Sequence, residues 1–474
     1  MKRMNPLDAS WLSVDSHDTP MHVGNLQIFS MPKGAPDDFV QQWVTHLKAE
    51  RDFAAPWNLR LGSPVLGRLL PAWRTDNDLD LDYHVRHSAL PRPGGERELG
   101  VLISRLHSHQ LDFKRPLWEC HVIEGLAGNR FALYTKMHHS LIDGVSGVRL
   151  LQRILSPDPE RMDMPAPWTV RPAKSDKSAQ ANPAPSTDKA MQSVAQSLRQ
   201  KASSAGQLIS ALSKIARGSP AGEHGLTAPF SGPRSMLNRR VTGQRRFATQ
   251  QYDMARLKEL AKAADCSLND IVLYLCATAL RRFMQEANTL PGKPLTAGVP
   301  VNVRPKDDQG TGNAISFIIA NLATDIADPM RRLEAVKDSM ERAKEHLQSL
   351  PREAIMQYTV FLMAPYMLQL ISGLGGRMKP VFNVTISNVP GPNELLYYNG
   401  ARLEAMYPVS LIAHGGALNI TCLSYAGTLN FGYTGCRDSL PHMQRLAVYT
   451  GEALDELAEL FKPKRGKGLF RNAE

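Results

Sequence analysis

Cysteine is scarce in this chain: five in 474 residues, Cys120, Cys266, Cys276, Cys422 and Cys436, an odd number with no paired spacing. That argues against a disulfide framework and suits free thiols in a reducing cytosol. Several catalytic strings are missing as well. There is no Gly-x-Ser-x-Gly elbow, which disfavours an α/β-hydrolase lipase. His414-Gly-Gly416 has the look of a hydrolase oxyanion loop, but without that elbow it reads as a turn. No P-loop occurs, so nucleotide hydrolysis is not expected, and no His-Glu-x-x-His or paired-Cys spacing supports a metal site. Basic and aromatic residues do not interleave on a recognisable motif, so nucleic acid is not an expected partner. The opening Met1-Lys-Arg-Met-Asn-Pro has no apolar stretch behind it, and no secretory signal is expected. Long apolar runs are nearly absent. Residues 354–376 have the length of a span, about 20 residues, but carry Gln357, Pro365, Gln369 and Ser372 between Arg352 and Arg377. They read as one or two buried helices, whose Met356, Met363 and Met367 either fill a core or line a channel for an alkyl chain.

Charge is unevenly placed. Of a net +11, residues 161–250 contribute 14 Lys/Arg against 4 Asp/Glu, and residues 462–474 contribute 5 against 1. The rest of the chain is nearly neutral. Such a connector and tail suit an anionic membrane surface or phosphates, or are solvated linker charges; both readings stand. A length of 474 residues makes two domains the default, and 43% hydrophobic with 21% charged residues is a soluble globular composition.

What the chain does have is concentrated in Lys136-Met-His-His-Ser-Leu-Ile-Asp-Gly-Val145. Residues 130–139 alternate, with Phe131, Leu133, Thr135, Met137 and His139 on one phase and Ala132, Tyr134, Lys136 and His138 on the other. The two histidines should therefore point apart, with His139 on the apolar side, so they cannot share a metal ion. A neutral imidazole with a pKa near about 6.5 on an apolar wall is a good general base. Asp143 has a plainer role available, as N-cap of a helix over 145–155 with Val148, Leu151, Ile154 and Leu155 on its stripe, and Gly144 permits the turn.

The string His138-His139-Ser-Leu-Ile-Asp143-Gly144 resembles the signature of the chloramphenicol acetyltransferase-like superfamily of thioester-dependent acyltransferases. Leu7-Asp-Ala-Ser-Trp-Leu12, Thr19-Pro-Met-His-Val-Gly24, Pro116-Leu-Trp118, Ser267-Leu-Asn-Asp270, Pro300-Val-Asn-Val-Arg304 and Asn383-Val-Thr-Ile-Ser-Asn-Val-Pro-Gly-Pro392 narrow it. Together they resemble the bacterial wax ester synthase/diacylglycerol acyltransferase family, in the family's order. The resemblance implies two similar lobes with the active site between them. It also implies acyl-CoA as co-substrate, no further cofactor, and a long-chain fatty alcohol or diacylglycerol as acceptor. His139 is then the general base, and His138 supports the loop. Asp143 braces it, with Arg304 as candidate partner. Asn269 and Asp270 are substrate-side candidates against a capping alternative. Ser387 or Asn388 is placed near the developing oxyanion, although Val-Pro-Gly-Pro also serves as a strand-ending turn.

Along the chain, residues 118–127 and 130–138 read as a hairpin about Gly128-Asn129, and 417–426 with 428–435 as another about Gly427. Further strands are expected at 246–253, 296–303 and 381–389, and helices at 254–264, 269–285 and 441–461. The pattern is α+β, each half offering a sheet with covering helices. The expected division is a first lobe over 1–155, a basic Pro/Ser/Ala-rich linker over 156–234 and a second lobe over 235–474. Within the linker an amphipathic helix is expected at 191–217, packed on the body or lying on a membrane. The expected location is the cytoplasm, with peripheral contact at the inner membrane or lipid inclusions. Two alternatives remain: a relative using an amine, sugar or carrier-bound acceptor, and a non-catalytic lipid- or membrane-binding protein.

Overall fold

The computed structural model describes residues 2–4, 6–62, 72–142, 144–170, 226–302 and 315–462. In the first half β1 (Lys2–Arg3), α1 (Pro6–Val14), β2 (His22–Ser30), α2 (Phe39–Ala49), β3 (Leu59–Leu61) and β4 (Ala72–Thr75) come first. They are followed by α3 (Leu81–His84), β5 (Val85–Ala89), α4 (Glu96–Ser108), β6 (Trp118–Leu126), β7 (Arg130–His138) and α5 (Gly144–Gln152). Gly128 and Asn129 hold φ of 78° and 57°, the two positive angles that a type I′ turn needs to join β6 to β7.

The second half opens with β8 (Arg245–Asp253), α6 (Met254–Ala263), α7 (Leu268–Glu286), β9 (Thr296–Asn302) and β10 (Ile315–Asn321). Then come α8 (Pro329–Ser349), α9 (Arg352–Ile371), β11 (Val384–Val389), β12 (Tyr397–Tyr398), β13 (Ala401–Val409), β14 (Leu418–Tyr425), β15 (Thr428–Cys436) and α10 (Arg445–Leu460). Local chemistry starts the helices. Asp253 accepts from the amides of Ala255 and Arg256 to begin α6, and Asp328 accepts from Arg331, ahead of Pro329, to begin α8. The 354–376 stretch becomes the single helix α9 with Pro365 inside it. Among the described residues no single helix is long and apolar enough to cross a membrane.

Each half is built on a six-stranded sheet. The first has the order β12-β13-β2-β7-β6-β5 and the second β10-β9-β11-β14-β15-β8, with β1-β4-β3 as a small third sheet. Both sheets mix parallel and antiparallel pairs: β5 runs parallel to β6, and β11 to both β9 and β14. One face of the first sheet packs Phe29, Phe131, Leu133, Met137 and Trp118 against α2 and α5. The other packs Leu26, Ile28, Ala132 and Tyr134 under Leu99, Leu102 and Ile103 of α4.

Sheet membership does not follow the division at residue 235. β13 pairs antiparallel with β2 from Arg402↔Ser30 to Val409↔Gly24, so residues 397–409 lie in the first lobe's sheet. The exchange is reciprocated by α4, which lies along the edge strand β8. Ser104 Oγ accepts from the Phe247 amide at 2.9 Å and Ser108 Oγ from the Arg245 amide at 2.8 Å. These side chains occupy amides that a bare sheet edge would leave open. The helix expected at 191–217 lies outside the described residues.

Candidate active site

His138 ends β7 and is fully buried. Its Nδ1 accepts the Ser140 amide at 3.1 Å and lies 2.7 Å from Ser140 Oγ. A backbone amide can only donate, so in the neutral ring the proton belongs on Nε2, which faces Asp15 Oδ2 at 3.4 Å. Asp15 is itself held by the Met21 amide and Gln110 Nε2, both at 2.6 Å. His139 leaves the strand into a turn, where alternation ceases to fix its direction. Its amide donates to Met21 O at 2.8 Å, and its half-buried ring lies 4.3 Å from the Trp11 indole of α1, tilted by 33°. The two imidazoles therefore diverge, one locked and one accessible.

The phase that carries His138 is not a polar outer face. Tyr134, Lys136 and His138 are all fully buried, because β7 is a central strand with helices over both sides. Lys136 Nζ lies 3.1 Å from Glu119 Oε2 and donates to Leu106 O and His109 O, each at 3.0 Å. Glu119 also meets His121 Nε2 at 3.1 Å and Arg86 at 3.2 Å. Burial opposes that carboxylate's charge. The His121 hydrogen bond and the charges of Lys136 and Arg86 overcome it and hold its pKa down at about 2.

A second buried chain crosses between the lobes. His22 Nε2 donates to His107 O at 2.9 Å, Tyr134 OH donates to His107 Nδ1 at 2.7 Å, and His107 Nε2 donates to Ser410 O at 3.1 Å. Ser410 Oγ then lies 2.8 Å from Thr421 Oγ1 on β14. Ser387 pairs with Thr421 in register and shares a strand face with Thr385 and with Val389, which packs into the first lobe's core. Asn388 falls on the alternate phase with Ile386 of the second lobe's core, so only Ser387 looks toward the seam. On the first lobe's side, buried Asn25, Gln27 and Thr135 share the phase of Met137, and their polar side-chain atoms find no hydrogen-bond partner within the described residues.

The structure gives Asp270 the capping role. Its Oδ2 accepts the Ser267 amide at 2.8 Å and Ser267 Oγ at 2.6 Å, and its Oδ1 lies 3.7 Å from Lys344. His414-Gly-Gly416 is a turn closed by Gly416 N→Ala413 O at 2.9 Å. Gly144 opens α5. Asp143 and Arg304 lie outside the described residues. Among those residues no group of three or more His, Cys, Asp or Glu is placed to hold a metal ion. Trp11 and Asp15 were not singled out from sequence. The signal was there, because the Leu7–Leu12 and Thr19–Gly24 strings flank Asp15 and supply the ring on His139 and the carbonyl under its amide.

A family model for the wax ester synthase/diacylglycerol acyltransferase catalytic domain matches residues 4–272, and one for the WS/DGAT C-terminal domain matches residues 311–458. The chain belongs to the wax ester synthase/diacylglycerol acyltransferase family. The O-acyltransferase WSD of Acinetobacter baylyi is 39% identical over 98% of this chain and 97% of its own. A Mycobacterium tuberculosis protein named as a candidate diacylglycerol O-acyltransferase is 47% identical over 96% of this chain and 97% of its own. The solved wax ester synthase/diacylglycerol acyltransferase of Marinobacter aquaeolei VT8 superposes with a TM-score of 0.80 at 39% identity, covering 97% of this chain and 100% of that one. A condensation domain of the calcium-dependent antibiotic synthetase, at 17% identity and TM-score 0.51 over 97% of this chain and 96% of its own, shares the fold. The two-lobed α+β architecture is thus the family's.

The buried histidines make the family fold of this chain acid-sensitive. Burial, the largest cause in each case, lowers the pKa of His22, His121, His84 (to about 4) and His107 (to about 3). Between about pH 6.5 and 4 the unfolded chain binds protons at these sites that the folded chain refuses. Stability therefore falls as pH drops, by about 1.4 kcal/mol per pH unit for each histidine of this kind. Urea midpoints measured from pH 8 to 4 are expected to hold above pH 7 and fall steadily below 6.5. A flat profile down to pH 4.5 would contradict this account of the core.

Proposed function

We propose that this chain is an O-acyltransferase that moves a long-chain fatty acyl group from acyl-CoA to a fatty alcohol or to diacylglycerol. Family membership supports the reaction class. The observation that carries the reading to residues is the split between the two histidines. The His138 ring is fully buried, with Nδ1 bonded to Ser140 and Nε2 facing Asp15, whereas His139 is anchored by its amide, lies tilted against Trp11 and is left partly accessible.

In the proposed step His139 accepts the proton of the acceptor hydroxyl as its oxygen attacks the thioester carbonyl. The C–O bond forms, and the carbonyl electrons move onto oxygen. Collapse of that oxyanion breaks the C–S bond, and the imidazolium returns its proton to the departing thiolate. No acyl-enzyme is required, since a thiol with a pKa of about 8.5 is already a good leaving group. Thr385 and Ser387 lie on the second lobe's face of the seam, which suits Ser387 to the oxyanion. Unpaired Asn25, Gln27 and Thr135 on the opposite wall suit polar atoms of a substrate. No other cofactor enters this scheme. Peripheral contact of a cytoplasmic protein with anionic lipid belongs to the same proposal, supported by the basic surplus of residues 161–250.

The test mixes the purified protein with palmitoyl-CoA and either hexadecanol or dioleoylglycerol. Thiol release matched by ester formation is the expected result. Neither product with any alcohol would end the reading.

A further inference from the structure

The strongest feature outside the histidine site is a pocket in the second lobe with a rim of cations. The pocket itself is small, about 40 Å³ and partly open to solvent, and is lined by Tyr366, Gln369, Asn383, Thr385, His414 and Asn419 among others. Its lining includes Thr385, two residues before Ser387 on β11. The pocket and its rim are built from segments lying within residues 226–250, 354–393 and 405–437, and these contain no aspartate or glutamate at all.

Exposed Arg234, Arg239, Arg240, Arg377 and Lys379 gather at its edge. Arg240, Arg239 and Lys379 bond to residues that line the pocket, and Arg234 and Arg377 are joined to each other beside them. Arg240 donates to Gly373 O at 3.1 Å and meets His414 Nε2 at 2.8 Å. Arg234 donates to Arg377 O at 2.6 Å, the Lys379 carbonyl accepts Gln369 Nε2 at 2.8 Å, and the Arg239 carbonyl accepts the Gly415 amide at 3.1 Å. Gly376, at φ +76°, lets this loop lie against the Arg239–Arg240 backbone, where a Cβ would come within 2.6 Å of the Arg240 nitrogen. Among the described residues none of the five cations is paired with a carboxylate. Asp18 is the acid whose field reaches His414, and Arg240, Arg245 and Arg377 oppose it there. The Asp18 loop leads on to Met21, whose carbonyl holds the His139 amide.

Five like charges beside a polar pocket, none of them paired with a carboxylate among the described residues, make a binding site for a polyanion. We propose that this rim binds the phosphates of the nucleotide carrier on the acyl donor. The proposal rests on the acyltransferase reading above and names the donor's binding site for it.

The test compares palmitoyl-CoA with palmitoyl-pantetheine, which keeps the thioester and lacks the phosphates, in the wild type and in Arg239→Gln/Arg377→Gln. Neither of these side chains is bonded to the fold, so the double variant should remain folded. KM for palmitoyl-CoA should rise at least about tenfold, with kcat within about twofold and the palmitoyl-pantetheine constants unchanged. An unchanged KM for palmitoyl-CoA, or an equal rise for both donors, overturns the site. So does loss of binding to phosphatidylglycerol vesicles with KM for palmitoyl-CoA unchanged, which would give the patch to a membrane. If the wild type turns over neither donor, the acyltransferase reading has failed on its own. Calorimetric binding of CoA then decides: weaker binding by the double variant upholds the phosphate site, and equal binding overturns it.

Discussion

Replacing His139 with alanine should lower kcat by about 10²–10⁴, the usual worth of a positioned general base, while the protein remains folded. The fold should survive because the residue is only half-buried, and its amide bond to Met21 O does not depend on the side chain. Loss of an aromatic contact of this kind costs about 0.5–1.5 kcal/mol. His138→Ala is expected to behave differently. It removes the ring that lies against Asp15 and Ser140 in a fully buried site, leaving polar groups without a partner at a cost of about 1–3 kcal/mol. Because Asp15 also holds the Met21 amide, activity should fall there in step with thermal stability. Steady-state kinetics beside circular-dichroism melts separate the two. Retention of more than about a tenth of wild-type turnover in His139→Ala would remove the base assignment.

The sequence made the local frame legible where short-range chemistry decides it. Gly128-Asn129 and Ala426-Gly427 both have positive φ at each residue and form hairpins. Ser267 and Asp270 form a capping box, and Val148, Leu151, Ile154 and Leu155 are all buried. Less could be read where partners are distant in sequence. Nothing near residues 397–409 announces that this strand pairs with residues 24–30, since strand alternation specifies a face and not a neighbour. The same limit applies at the site. Alternation predicts that His138 and His139 part but cannot supply Trp11, Asp15 or Met21, which arrive from α1 and the segment between it and β2. It also misjudges Lys136, which looks like a solvent residue until β7 is found between two helical layers.

That lysine carries the other large expected effect. Glu119→Gln should destabilise the protein by about 3–5 kcal/mol, because it leaves a fully buried ammonium without its counter-charge. Burial already lowers the Lys136 pKa, and Glu119 works against that shift. Without the carboxylate the folded chain holds the proton less well, while the unfolded lysine keeps it up to about pH 10.4. The variant's stability should therefore recover as pH rises through the alkaline range, the reverse of the acid loss expected from the histidines. Glu119→Leu combined with Lys136→Met should be far less damaging than either change alone, since no fully buried charge is then left unpaired and half-exposed Arg86 can be solvated. The consequence reaches the site because Lys136 also ties down Leu106 O and His109 O at the end of α4, the favourable end for a cation. His107 sits in that same turn and donates to Ser410 across the seam. Loosening the turn should weaken the join between the lobes before it unfolds either one, so Glu119→Gln is expected to lose turnover at temperatures where its circular dichroism is still native. A melting curve within about 1 kcal/mol of the wild type would show that the ion pair is not what holds α4 in place.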